Sequence, residues 1–123
     1  MNQVTVRVKQ FNSNNNQWEL KVKSVGVWRD CCLHYQENDD IYMVLQPKDH
    51  ELVINRRSEA EIMLLLIPDQ ITSMRVSVEE GIIEIPVTTT LYHYTGNRIE
   101  ASYYLNYDDT QVMHFIWEME DEI

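Results

Sequence analysis

Two charged residues that strand alternation would carry into a protein interior have the most chemistry to offer in this chain. Arg56 follows Leu52 and Ile54 at alternate positions, and Glu37 follows Leu33 and Tyr35 in the same way. Each therefore shares a strand face with apolar side chains. An unpaired buried charge is strongly unfavourable, so these groups must meet each other, reach water at an opening, or hold a charged ligand. Tyrosines concentrate late in the chain, at Tyr92, Tyr94, Tyr103, Tyr104 and Tyr107. Such side chains can line a ligand cavity while keeping a hydroxyl for orientation, although they are also ordinary strand formers. By alternation Tyr92 and Tyr94 share one face and Thr89, Leu91 and His93 the other, so at most one of these sets faces a pocket.

Other chemistry-bearing residues fall into weaker patterns. His34, His50, His93 and His114 have no metal-ligand spacing, and consecutive strand residues face opposite ways. Cys31 and Cys32 are neighbours whose side chains would point to opposite strand faces, so a disulfide between them is poorly placed. Cys32 and His34 would share a face, yet nothing marks an oxyanion hole or an orienting third group, and core packing is the better reading of the cysteines. The chain has no phosphate loop, no G-x-G-x-x-G, no H-E-x-x-H, no C-x-x-C and no G-x-S-x-G. The expectation is a non-enzymatic protein with no catalytic residue, no metal and no cofactor.

The elements that would position these residues are strands. Val4, Val6 and Val8 alternate with Thr5, Arg7 and Lys9, giving a first strand over Val4 to Phe11, and Asn12 to Asn16 read as a hairpin loop. Trp18, Leu20 and Val22 alternate with Glu19, Lys21 and Lys23, after which the apolar phase slips to Val25 and Val27, predicting a bulge or bend near Ser24 and Gly26. Polar turns at Asn38-Asp39-Asp40, Pro47 to His50, Ser58-Glu59, Pro68 to Gln70, Glu79 to Gly81, Thr95 to Asn97 and Asp108 to Thr110 separate further apolar runs. The run from Glu59 to Ile67 holds good helix formers and is too short for periodicity to arbitrate; it is assigned as strand. Even spacing with no amphipathic helix predicts an all-β fold, an up-and-down barrel of about eight to ten mostly antiparallel strands, whose closure removes exposed edges.

Composition bounds what such a barrel can do. A chain of 123 residues with 44% hydrophobic residues is sized for a single domain, here residues 1–123, and needs no disulfide to bury a core. A formal charge of -10 repels phosphate backbones and anionic lipid, so neither nucleic acid nor membrane is an expected partner. No secretory signal is visible, and the longest apolar run, Ile62 to Ile67, is far shorter than a membrane span. A cytoplasmic location is the expectation.

Tyr35-Gln36-Glu37 at the end of one strand, Arg56-Arg57-Ser58 on another, the turn at Gly81 leading to a threonine-bearing strand through Thr89, and the strand from Ile99 to Leu105 together resemble the YwiB-like family of small bacterial proteins of unknown function. The resemblance implies a calycin-like barrel, the architecture of lipocalins and fatty-acid-binding proteins. It also suggests for Arg56 the part of an interior arginine that holds a ligand carboxylate. The chain departs from the family pattern where Val76 and Val78 stand in place of aromatic residues before Gly81.

Two functional expectations follow. In the first, the barrel binds a small, partly apolar or amphipathic ligand that could carry a carboxylate, oriented by Arg56 and Glu37 with Tyr35, Tyr103 or His93. In the second, side chains fill the barrel, and it acts as an interaction or assembly module through an outer face or a homodimer interface that includes Tyr104, Val112 and Ile116. A cavity of several hundred Å³ would favour the first, since ligand pockets are concave and preformed. A packed interior beside an exposed apolar patch would favour the second.

Overall fold

The computed structural model describes residues 2–122. Ten strands follow one another: β1 (Asn2–Asn12), β2 (Gln17–Arg29), β3 (Cys32–Asn38), β4 (Ile41–Pro47), β5 (Leu52–Arg57), β6 (Glu61–Leu66), β7 (Ile71–Val78), β8 (Gly81–Thr95), β9 (Arg98–Leu105) and β10 (Met113–Asp121). Each pairs antiparallel with its neighbours in sequence, and β1 pairs with β10 to close an up-and-down barrel. The run with helix-forming residues is strand β6, which pairs with β5 from Glu61 to Leu66. Its tertiary neighbours override helix propensity. Among the described residues no helix is long and apolar enough to cross a membrane.

Alternation dictates the interior. Val4, Val6 and Val8 of β1, Leu33 and Tyr35 of β3, Met43 and Leu45 of β4, Leu52 and Ile54 of β5 and Leu64 and Leu66 of β6 are all buried. One end of the barrel carries the start of β1, the end of β10 and the turns 30–31, 48–51, 67–70 and 96–97; we call it the floor. Leu33, Leu45, Leu52, Leu66, Val87 and Ile99 are completely inaccessible, and each such side chain contributes roughly 1.5–3 kcal/mol by leaving water. The Tyr92 hydroxyl also donates to the Lys48 carbonyl across this end. The other end, with turns 13–16, 39–40, 58–60, 79–80 and 106–112, is the mouth.

Three bulges interrupt the pairing, each one extra residue on one strand. Val8 pairs with Val22 but Lys9 with Leu20, which leaves Lys21 unpaired in β2. Trp18 and Leu20 are consequently exposed while Val22 packs against the core. The predicted phase slip is thus real but lies at Lys21 rather than near Ser24 and Gly26. Beyond it Gly26 is buried while Val25 stays exposed. Gly26 is required by space: a Cβ there would stand 2.7 Å from Val6 Cγ2 and 3.1 Å from the His34 carbonyl oxygen. The second bulge isolates Glu37 in β3, between Gln36 paired with Tyr42 and Asn38 paired with Ile41. The third isolates Thr90 in β8, so Thr89 and Tyr92, predicted on opposite faces, both pack inward, Thr89 at 3% exposure.

The cysteines sit differently from the strand reading. Asp30 and Cys31 both take positive φ, 53° and 63°, and form the tight turn between β2 and β3, as a two-residue hairpin with right-handed strand twist requires. Cys31 is therefore exposed and Cys32 only partly buried, and neither belongs to the core.

Candidate functional site

Above the aliphatic floor the barrel keeps a cavity of about 90 Å³ lined by Val8, Tyr35, Glu37, Met43, Ile54, Leu64, Tyr103, Phe115 and Trp117. One wall is aromatic and comes from β9 and β10. Tyr103 and Phe115 stack with centroids 6.3 Å apart and planes 23° apart, and Phe115 meets Trp117 at 5.6 Å and 31°. The facing wall comes from β3 to β6. The two walls are tied by the Trp117 indole N–H, which donates to the Tyr35 hydroxyl at 2.9 Å in a fully buried bond.

The electrostatics of this cavity are set by few groups. Burial pushes the Tyr35 hydroxyl well above the usual tyrosine range, against the lowering effect of the Trp117 hydrogen bond and with help from the nearby Glu37 charge. Burial alone pushes Tyr103 up to about 12. Both are neutral hydroxyls at ordinary pH. The Tyr103 side chain is 8% exposed, and its hydroxyl has no hydrogen-bond partner among the described residues. That hydroxyl keeps access to solvent; the side-chain polar atoms fully buried without a partner among the described residues are Asn55 Oδ1 and Thr89 Oγ1. Glu37 brings the only carboxylate of the lining; alternation after Leu33 and Tyr35 turns it inward, at the residue where β3 bulges.

The sequence-predicted residues separate into three groups. Tyr35, Glu37 and Tyr103 are brought together on the cavity. Arg56 lies on the same inner row, paired with Met43 and Ile62, half-buried towards the mouth. It does not line the cavity, and it forms no ion pair with Glu37. His93 is exposed on the outer surface opposite Glu100, while its neighbours Tyr92 and Tyr94 pack on the core. It therefore does not join the others, because the Thr90 bulge and strand alternation turn it outward. Phe115 and Trp117 were not singled out, although their place between Met113 and Met119 at alternate positions of one strand puts two large aromatic rings on one inward face.

Outside the cavity, the remaining candidates are satisfied by local partners. His34 Nδ1 lies 2.9 Å from the Tyr42 hydroxyl, and burial first, then Arg29 and Arg57, lower its pKa. His114 Nε2 lies 2.7 Å from Glu100 Oε2, and Arg98 contacts the other carboxylate oxygen, Glu100 Oε1, at 3.0 Å. Among the described residues no three His, Cys, Asp or Glu side chains converge as a metal site. Burial raises the Cys32 thiol, so its pairing in sequence with His34 gives no activated thiolate. A surface hollow of about 490 Å³ is a cleft between the β1–β2 hairpin and the 106–112 turn, lined chiefly by polar residues such as Asn12, Asn14 and Gln111. Ile116, a candidate for a partner surface, is buried, whereas Val112 is exposed.

One stretch of wall is open. β2 pairs with β1 along its length but with β3 only from Gly26 to Arg29. Its mouth-side residues from Gln17 to Val25 consequently form a free edge, with Leu20 and Val25 more than half exposed. A groove of about 360 Å³ lies where the strands part, between Val25, Arg29, His34 and Tyr42.

No protein-family model matches this chain, and no curated protein matches it. Among solved structures it is similar to the crystal structure of the ywiB protein from Bacillus subtilis, with a TM-score of 0.71 and 12% sequence identity, covering 99% of this chain and 93% of that one. At that identity the likeness shows architecture alone: the chain has a YwiB-like fold, a closed barrel of ten antiparallel strands.

Proposed function

We propose that this protein is a calycin-like, non-enzymatic binding protein of the cytoplasm that takes a small, partly apolar ligand at the barrel mouth. The observation that carries this reading is the apolar, aromatic cavity of the barrel, onto which Tyr103 presents a hydroxyl without a protein partner among the described residues. A ligand or water entering the cavity would supply the missing hydrogen bond. Size limits what enters. A space of about 90 Å³ is well below the roughly 300–1,000 Å³ of pockets that engulf drug-sized molecules. It admits a compact group of a few heavy atoms, not an acyl chain. The rest of a larger ligand would lie across the mouth, where the half-buried Arg56 and the exposed Val78 and Ile83 form the rim.

The test is native mass spectrometry of the protein purified from its own host, beside a Val8→Phe variant that places a ring in the cavity. The expected result is a bound small mass in the parent protein that Val8→Phe loses while retaining its far-UV circular dichroism. An empty parent protein, or a mass retained by the occluded variant, overturns the reading. The free edge of β2 favours a second reading, a homodimer formed by pairing this edge with a second copy. The same spectrum reads it as a dimer mass, and Leu20→Arg would abolish that mass.

A further inference from the structure

The charge of the cavity lining points to a ligand class opposite to the one an interior arginine would suggest. Arg56 stands outside the lining, whereas Glu37 is part of it. Neither group has a compensating ion pair among the described residues. A carboxylate ligand entering this space would meet Glu37 as a like charge, inside a chain of formal charge -10. A cation would meet an attractive carboxylate, the aligned rings of Tyr103, Phe115 and Trp117, and tyrosine oxygens able to accept. Aromatic rings attract cations through their quadrupole, and desolvation by apolar neighbours such as Met43 and Leu64 strengthens that attraction.

We infer that the cavity selects a compact organic cation, an alkylated ammonium group, over a neutral or anionic group of equal shape. This inference rests on the small-ligand reading above and names the charge of what binds. Glu37 supplies the counter-charge, and the aromatic wall with Tyr35 supplies the enclosure. Its place at a β-bulge lets the carboxylate lean over the cavity while remaining half-exposed, so the site accepts a charge without first burying its own completely.

A shape-matched trio tests this: tetramethylammonium, tert-butanol and pivalate, titrated against the full chain and followed by the nuclear magnetic resonance shift of the Trp117 indole N–H, assigned with a Trp117→Phe variant. The expected order places tetramethylammonium tightest. Glu37→Gln should weaken it about tenfold while leaving tert-butanol unchanged, and added salt should weaken the cation alone. Equal binding of tert-butanol and tetramethylammonium overturns the charge assignment and leaves the small-ligand reading standing. Tightest binding of pivalate, lost in Arg56→Met, overturns it in favour of a carboxylate ligand. No response to any of the three overturns both readings. Glu37→Gln preserves the shape of a half-exposed residue, and its circular dichroism is recorded beside each titration so that a loss of binding is read on folded protein.

Discussion

Tyr35→Phe should destabilise the barrel by about 2 kcal/mol, because it removes an acceptor and strands a donor. The Trp117 indole N–H donates to the Tyr35 hydroxyl at 2.9 Å with both residues buried. A neutral hydrogen bond contributes about 1 kcal/mol net, and an orphaned buried donor costs a further ~1–3 kcal/mol unless it finds another partner. The adjacent cavity of about 90 Å³ has room for a water that could partly satisfy the indole, so the lower half of that range applies. For a domain of this size, 2 kcal/mol lowers the melting temperature by roughly 6–12 °C. Urea unfolding followed by circular dichroism measures it, with an unchanged denaturant slope showing that only the folded state was altered. A cycle with Trp117→Phe should give a coupling of about 1–2 kcal/mol, since each single change orphans the other partner. If Tyr35→Phe shifts stability by less than about 0.5 kcal/mol and the cycle shows no coupling, the bond across the barrel does not stabilise it.

Gly26→Ala should lose about 1–3 kcal/mol through the 2.7 Å approach to Val6 Cγ2. Combined with Val6→Ala, it should lose measurably less than the two single variants summed in urea denaturation; strict additivity would contradict the packing argument. Tyr103 ionises near 10 when unfolded but is pushed up to about 12 when folded. Its contribution is therefore intact below pH 10 and is lost between pH 10 and 12, about 3 kcal/mol in all. The stability gap between wild type and Tyr103→Phe should change across that window, and a gap constant with pH would show that Tyr103 is not shielded from water. Cys31, exposed at its turn, should be alkylated at pH 8 well before Cys32, whose thiol burial raises. Mass mapping of the labelled peptides checks the order, and equal rates would contradict it.

Period-two alternation carried most of the fold, because one face of every strand must be dry. Val4, Val6 and Val8, or Leu52 and Ile54, announce the interior directly. What alternation does not locate is the bulge itself: the change of phase in β2 was visible in its apolar residues, but the single extra residue leaves no signature in residue type. Lys21 looks like any polar strand residue, yet from there on it reverses which of its neighbours are dry. Thr90 does the same, and so the pairing of Thr89 with His93 on one face failed. Whether Arg56 or Glu37 reaches the cavity was equally hidden, since both follow inward residues at the same spacing. The aromatic wall was legible in principle, because Phe115 and Trp117 share one strand face with Met113 and Met119, but its stacking against Tyr103 depends on cross-strand register.

Two of the bulges also bear on why the site is at one end. Those at Lys21 and Glu37 lie in the mouth-side part of their strands, where pairing need not hold every side chain in strict alternation, whereas the one at Thr90 sits beside the floor turn, where Thr89 bridges to Pro68. On the floor side of β3 to β6, complete burial of Leu33, Leu45, Leu52 and Leu66 would make any change of phase expose a core residue and drive a polar one inward. Towards the mouth, solvent relieves that penalty. An extra residue there can lean a carboxylate over a cavity, as Glu37 does, or let β2 part from β3 and leave an edge. The same relaxation of pairing thus produces both candidate surfaces of this barrel. Deleting Glu37, which removes the bulge and restores regular pairing between β3 and β4, should therefore abolish ammonium binding more completely than Glu37→Gln. The deletion removes the geometry as well as the charge. Titration of tetramethylammonium against both variants separates the two contributions, and equal losses would mean that the charge alone makes the site.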